Sequence, residues 1–284
     1  MFTPSEIAHN YIEVAKKKTS LKWYKILILG ILAGAFIAFG AAVATATSAG
    51  LTGSRASLVK GAVFPVGLIL VVICGAELFT GNCLLVSPAI GKDVKVRSVL
   101  KNWSIVYAGN FIGGVLIALL VVFSHIQKGA VAEACANTAA AKCNLSFFES
   151  FLRGILCNML VCLAVWGAMA SKSTAGKILA LYAPIFAFVA CGFEHSVANM
   201  YYLSAGLLTK ATVDSITAAG LTVGRALLFS LLPSTLGNII GGGLIGCAYH
   251  AVYRSKNKPN TKQENAPTES TTAEQAPVKQ DSES

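Results

Sequence analysis

CGAELFTGN, from Cys74 to Asn82, and CGFEHSVAN, from Cys191 to Asn199, carry Cys, Gly, Glu and Asn at the same offsets, each in the middle of an apolar run. The likeness extends outward. GNFIGGVLI from Gly109 to Ile117 matches GNIIGGGLI from Gly237 to Ile245 at seven of nine positions, and the GIL at Gly30 recurs at Gly154. A polar CGxE element interrupts an apolar helix, and transporters build midplane substrate sites from repeats broken at corresponding positions. The chain therefore reads as a duplicated membrane unit with one break in each half.

Composition agrees. Of 284 residues, 55% are hydrophobic and only 13% are charged, which excludes an ordinary soluble domain and the enzyme core that goes with one. Crossing about 30 Å of hydrocarbon takes roughly 20 apolar residues. Six stretches meet that length: 26–49, 60–90 (interrupted), 104–125, 151–170, 178–209 (interrupted) and 225–250. The expected fold is an all-α membrane protein of six transmembrane helices arranged as a 3+3 inverted repeat, with helices two and five broken. Three spans per repeat, an odd number, put the halves in opposite orientations, related by an axis in the membrane plane. The repeats fall at about 26–125 and 151–250 within a channel domain at 26–254.

Lysine and arginine placement sets the orientation. Residues 1–25, the 91–102 and 171–177 loops and the C-terminal tail hold sixteen basic residues; the opposite side holds seven. Both termini are expected in the cytoplasm, in a multi-pass protein of the cell membrane. The net charge of +10 is then a topology signal and not a nucleic-acid footprint. Lys16, Lys17, Lys18, Lys22 and Lys25, with Trp23 and Tyr24, read as a cationic and aromatic interfacial anchor at the end of the N-terminal segment 1–25. The first long apolar stretch exceeds a cleaved h-region, so a mature start near Met1 is expected. The Ser, Thr, Asn, Gln, Glu, Lys and Pro composition of 255–284 reads as a disordered tail.

Six of the eight cysteines lie in the spans, where cysteine acts as a small hydrophobe. Cys135 and Cys143 share an outward loop, which leaves a bridge between them open. No metal set and no cofactor are expected. Gly109, Gly113, Gly114, Gly237, Gly241, Gly242 and Gly243 form small-residue stripes for close helix contact.

The chemistry falls to the breaks, whose released backbone must be buried in protein or line a cavity. His195 is the one histidine placed far from a membrane surface, and an ionisable group at that depth is a functional candidate. Its counterpart is Leu78, so the scaffold itself does not require imidazole. Glu77 and Glu194 recur in both breaks and read as scaffold, accepting hydrogen bonds there together with Gly81, Asn82 and Asn199.

ELFTGN (77–82), GILCN (154–158) and FEHSVANM (193–200), on six spans with an inverted repeat, resemble the formate/nitrite transporter family over about Pro4 to Tyr253. The resemblance implies an aquaporin-like subunit with its own pore, a homopentamer in membrane lipid, and conduction of small monovalent anions: formate first, with nitrite or hydrosulfide as alternatives. It also implies a pore centre of His195, Thr80 and Asn158, with proton-coupled passage through transient protonation or hydrogen bonding at the histidine. Leu78 and Phe79 would form one apolar constriction and Phe64, Leu68 and Phe188 another; Lys142 would be a vestibule lysine that attracts anions, although as bare sequence it reads as a solvated loop charge. Two other classes fit less well. A membrane redox subunit with bis-imidazole haem needs a second central histidine, and a water channel of the aquaporin type would carry Asn-Pro-Ala triplets, which neither break contains.

Overall fold

The computed structural model describes residues 1–254; the tail expected at 255–284 lies outside the described residues. The described chain is helical throughout, in the order α1 (Pro4–Ser20), α2 (Trp23–Ser48), α3 (Gly53–Val63), α4 (Val66–Ile73), α5 (Phe79–Asn82), α6 (Val86–Ile90), α7 (Val96–Phe123), α8 (Ala130–Cys143), α9 (Phe147–Ala170), α10 (Thr174–Ala190), α11 (Ser196–Thr212), α12 (Val223–Arg225) and α13 (Leu232–Tyr253). Short 3₁₀ and π turns join α5 to α6 and α12 to α13.

Five helical stretches are long and apolar enough to cross a membrane: 23–48, 53–73, 96–123, 147–170 and 223–253. The second expected span is α3 and α4 followed, after a gap at 74–78, by α5 to α6. The fifth is α10 and α11, parted at 191–195. Both gaps open in the same way. Gly75 and Gly192 sit at φ 78° and 70°, a backbone conformation that glycine adopts without a Cβ penalty. The amide of the next residue, Ala76 or Phe193, then returns to the carbonyl of Val71 or Phe188, closing each half-helix in a Schellman motif. That geometry is the physical reason for the repeated glycine.

Each half contains one tight glycine-lined helix pair. A Cβ at Gly34 would overlap the backbone carbonyl of Asn110, and one at Gly113 that of Ile31, where α2 crosses α7; Gly237 and Gly241 stand the same way against Phe151 and Ile155, where α13 crosses α9. The halves meet along α3 and α10, where the Tyr182 hydroxyl donates to the Ala62 carbonyl at 3.0 Å. They also meet at Tyr107 and Thr235, whose hydroxyls are 2.9 Å apart. The offset that carries Gly109 onto Gly237 carries Tyr107 onto Thr235, so this residue touches its own counterpart, as residues near a two-fold axis between the halves would.

Two segments depart from the sequence expectation. Residues 130–143, expected as loop, form α8, with Cys135 and Cys143 buried and unbridged. Eight residues along a helix span about 12 Å, beyond the reach of a disulfide between α-carbons. The N-terminal segment is more than an anchor: Thr3 and Glu6 form a capping box at the start of α1, and α1 buries Ile7, Ala8, Tyr11 and Ala15, Tyr11 lying against Trp166. Composition hid both helices because α8 is alanine-rich and α1 is polar on its outer face.

The glycine contacts generate the first prediction. In Gly241→Val the added carbons meet backbone, which cannot rotate away, so the cost should reach or exceed the 1–3 kcal/mol of ordinary overpacking. Gly243→Val, where a Cβ meets nothing within 4 Å, should be tolerated. Melting of the detergent-solubilised protein, followed by size-exclusion chromatography, measures both.

Candidate functional site

One asparagine secures each break. The Asn110 side chain, from α7, accepts from the Phe79 amide at 2.9 Å and donates to the carbonyls of Gly30 at 2.8 Å and Glu77 at 3.0 Å. Asn238, from α13, accepts from the Ser196 amide at 2.8 Å and donates to Gly154 at 2.8 Å and Glu194 at 3.0 Å. A single amide thus satisfies backbone groups that a broken helix leaves unpaired where no water is available. These residues were missed as site residues, although both stand in the duplicated Gly-Asn of 109–110 and 237–238.

The glutamates also match. Glu77 accepts from Asn82 Nδ2 at 2.7 Å and from Lys18 Nζ at 2.9 Å. Glu194 accepts from Asn199 Nδ2 at 2.7 Å and from Lys142 Nζ at 2.9 and 3.0 Å. Lys142 is therefore no solvated loop charge: it ends α8, half-buried, paired with a glutamate whose side chain is 5% exposed. A buried carboxylate without a partner is costly, and each lysine removes that cost. In the sequence Lys18 reads only as part of an interfacial anchor, yet the offset that carries Gly30 onto Gly154 carries Lys18 onto Lys142. Helices α1 and α8 are thus counterparts, and each repeat is longer than its apolar spans suggested.

At the end of the second break stands His195, 3% exposed, which caps α11 by accepting the Ala198 amide at Nδ1, 3.0 Å. With Nδ1 used as an acceptor, the neutral ring carries its proton at Nε2. Nε2 faces Thr80 Oγ1 at 2.9 Å and donates to it, leaving the threonine hydroxyl proton free for another acceptor. Asn158 joins the halves from α9, donating to the carbonyls of Thr80 at 3.1 Å and Asn238 at 2.6 Å. Three expected centre residues are therefore brought together. Asn158 Oδ1 and Ser196 Oγ are buried there without a hydrogen-bond partner among the described residues.

Apolar side chains flank this centre. The Phe188 ring stacks on His195 with centroids 5.8 Å apart, and Phe64 meets Phe188 edge-on at 5.8 Å. Leu68 and Leu78 border a cavity of about 460 Å³ beneath α1. Phe79 points elsewhere: its ring packs edge-on against Tyr107, 4.9 Å away, and Trp103. Gly81 and Asn82 lie beside Leu78 on the α1 cavity, and the Asn82 carbonyl accepts from Trp103 Nε1. A second cavity, of about 630 Å³, opens beside α8 and is lined by Lys60, Lys142, Arg153 and Glu194 among others. Among the described residues no group of three His, Cys, Asp or Glu side chains is placed to hold a metal ion.

Two cavities separated by buried apolar side chains, with one imidazole and the Thr80 and Ser196 hydroxyls between them, define a multi-pass helical membrane protein of the channel or transporter class. The family model described as formate/nitrite transporter matches residues 5–252. The chain is 39% identical over 264 residues to the uncharacterized transporter YrhG of Bacillus subtilis, covering 90% of this chain and 95% of that protein. It is 36% identical over 274 residues to the formate channel FocA of Escherichia coli K12, covering 90% and 96%. A solved structure described as a pentameric formate channel with formate bound aligns at a TM-score of 0.76 with 32% identity, covering 82% of this chain and 98% of that one. The chain belongs to the formate/nitrite transporter family.

The break geometry yields a second prediction. Asn238→Leu removes three buried hydrogen bonds, on the order of 3 kcal/mol at about 1 kcal/mol each, and should lower the melting temperature markedly. A melting temperature unchanged from wild type would mean that the amide is not what holds the second break.

Proposed function

We propose that the chain is a channel for small monovalent weak-acid anions, formate foremost and nitrite or hydrosulfide as alternatives, acting as a homopentamer with a pore in each subunit. The observation that carries this reading is the buried contact between His195 Nε2 and Thr80 Oγ1, set between the two cavities and behind apolar side chains. Membership of the family and the likeness to a pentameric formate channel support the substrate class and the assembly. The basic residues of 1–25, 91–102 and 171–177 support cytoplasmic termini in the cell membrane, with the α1 funnel inside and the α8 funnel outside.

The mechanism follows from magnitudes. Moving a carboxylate-sized ion into a low-dielectric constriction costs on the order of 20 kcal/mol in an idealised Born estimate. Protonating a carboxylic acid of pKa ~4 at pH 7 costs about 4 kcal/mol at roughly 1.36 kcal/mol per unit. Neutralisation is the lower barrier. Cationic side chains at each mouth concentrate the anion, and the apolar collars admit its neutral form: Phe64 and Phe188 beside His195 form one and Leu78 the other, while Leu68, expected with the first, borders the α1 cavity together with Leu78. Phe79, on α5, turns its ring away to Trp103 and Tyr107 of α7.

At the centre the Thr80 hydroxyl, itself accepting from His195 Nε2, donates to a carboxyl oxygen. Asn158 holds the Thr80 carbonyl and so fixes α5 against α9. His195 serves here as a hydrogen-bond donor and not as the acid. Its second nitrogen is engaged by Ala198, and losing the Nε2 proton from a neutral ring would leave imidazolate. The transported proton comes from water at the mouth and travels with the substrate. Glu77 and Glu194 act as scaffold, each neutralised by its lysine.

Proteoliposome uptake of formate, nitrite and hydrosulfide at pH 5 and 7 tests this. The neutral fraction of formate rises about tenfold per unit of acidification, so wild-type formate uptake should rise steeply toward pH 5, and His195→Phe should lose most of it. Full and pH-independent formate flux in His195→Phe would defeat the scheme.

A further inference from the structure

Two buried thiols beside the pore centre have no part in the transport scheme. Cys83, in the 3₁₀ turn after α5, and Cys162, on α9, are both fully buried, and neither is in a disulfide. Their sulfurs donate to consecutive carbonyls of α5, Cys83 Sγ to Phe79 at 3.4 Å and Cys162 Sγ to Thr80 at 3.6 Å. Gly242 of α13 faces them both. A Cβ built there would stand 2.5 Å from the Cys83 β-carbon, 3.0 Å from Cys162 Sγ and 2.6 Å from Asn158 Nδ2. Because both cysteine distances are measured from one point, the Cys83 β-carbon and the Cys162 sulfur are no farther apart than their sum.

The shared scaffold does not require two thiols. The offset that carries Glu77 onto Glu194 carries Cys83 onto Met200, and the one that carries Gly30 onto Gly154 carries Ala38 onto Cys162. Gly114, the counterpart of Gly242, faces the Met200 β-carbon at 3.4 Å, so a thioether and a methyl group fill the equivalent place in the other half. The thiols also stand where a ligand would be felt. Asn158, one turn before Cys162 on the same face of α9, holds the Thr80 carbonyl that the Cys162 thiol also meets.

We propose that Cys83 and Cys162 form a two-thiolate site for a soft divalent cation, mercury(II), whose binding ties the turn after α5 to α9 and blocks passage. Thiolate sulfur selects soft metals, and a mercuric ion is satisfied by two ligands in a line. Metal–thiolate bonds of about 2.3 Å put the sulfurs of such a site about 4.6 Å apart, a separation that the bound above allows. Charge favours the divalent ion. Two thiolates around a monovalent soft cation leave a net negative charge in a fully buried place, which is costly; around mercury(II) the net charge is zero. The exchange balances with mercuric chloride: two S–H and two Hg–Cl bonds break, two Hg–S bonds form, and two protons leave with two chloride ions. Moving Cys162 Sγ onto the metal withdraws it from the Thr80 carbonyl and shifts α5, on which the contact with His195 depends. Binding stands apart from the channel reading; the block rests on it.

The test uses the full-length protein and a variant in which Cys74, Cys135, Cys143, Cys157, Cys191 and Cys247 are alanine, with Cys83→Ala and Cys162→Ala made in both backgrounds. Mercury content and X-ray absorption after exposure to mercuric chloride and gel filtration read the site itself. The six-alanine variant should hold one mercury per subunit through two sulfurs, and loss of either remaining thiol should weaken binding about a hundredfold. Formate uptake into proteoliposomes, compared with each variant's own rate before mercury, reads the block. Uptake should be lost in the wild type and the six-alanine variant, return with excess 2,3-dimercaptopropanol, and survive in Cys83→Ala and Cys162→Ala of the six-alanine background. Mercury held through one sulfur would overturn the site. So would wild-type mercury affinity in both single variants, which decides the matter in the wild-type background if the six-alanine variant does not fold. Two-sulfur binding with uptake intact would overturn the block. If mercury binds through two sulfurs while the wild type passes none of the anions, the channel reading fails and the site stands.

Discussion

Backbone that leaves a helix inside a membrane must find partners within the protein, and the architecture depends on how this chain meets that demand twice. Asn110 and Asn238 each accept one amide and donate to two carbonyls, so one short side chain closes each gap. Both asparagines stand beside a glycine, Gly109 or Gly237, at which a neighbouring helix comes within backbone contact. Close packing brings the helix near enough for the amide to reach the break, and the amide makes the break affordable there. Neither feature works without the other.

With the breaks secured, their ends become available for chemistry. The scaffold is the same in both halves, while the side chains at the start of the second half-helix differ. Leu78 is apolar and lines a funnel; His195 caps its helix with one nitrogen and faces Thr80 with the other. A symmetric frame thus produces an asymmetric centre, with one imidazole serving both halves. The charges divide in a related way. Behind each break glutamate and lysine neutralise each other, Glu77 with Lys18 and Glu194 with Lys142.

The sequence revealed the fold through features with a long-range physical cause: apolar runs of spanning length, paired Cys-Gly breaks and glycine stripes. It also exposed His195, because an ionisable residue in the middle of an apolar run has few structural explanations. Helices α1 and α8 were obscured because one is polar on its outer face and the other is alanine-rich, so neither gives a spanning signal. Lys142 looked like a loop charge for the same reason, since its partner Glu194 lies far away in sequence. Asn110 and Asn238 were visible as duplicated residues, but their function depends on three backbone groups drawn from two different elements. Phe79 carried no signal in the sequence of the side to which its ring turns.

The central claim is that the substrate crosses the apolar segment as a neutral acid. The most direct measurement is the proton stoichiometry of formate uptake in proteoliposomes, with internal pH and membrane potential followed together. The account predicts one proton entering with each formate and a rate insensitive to an imposed potential. Uptake that tracks the potential and leaves internal pH unchanged would show that the bare anion crosses, contradicting it.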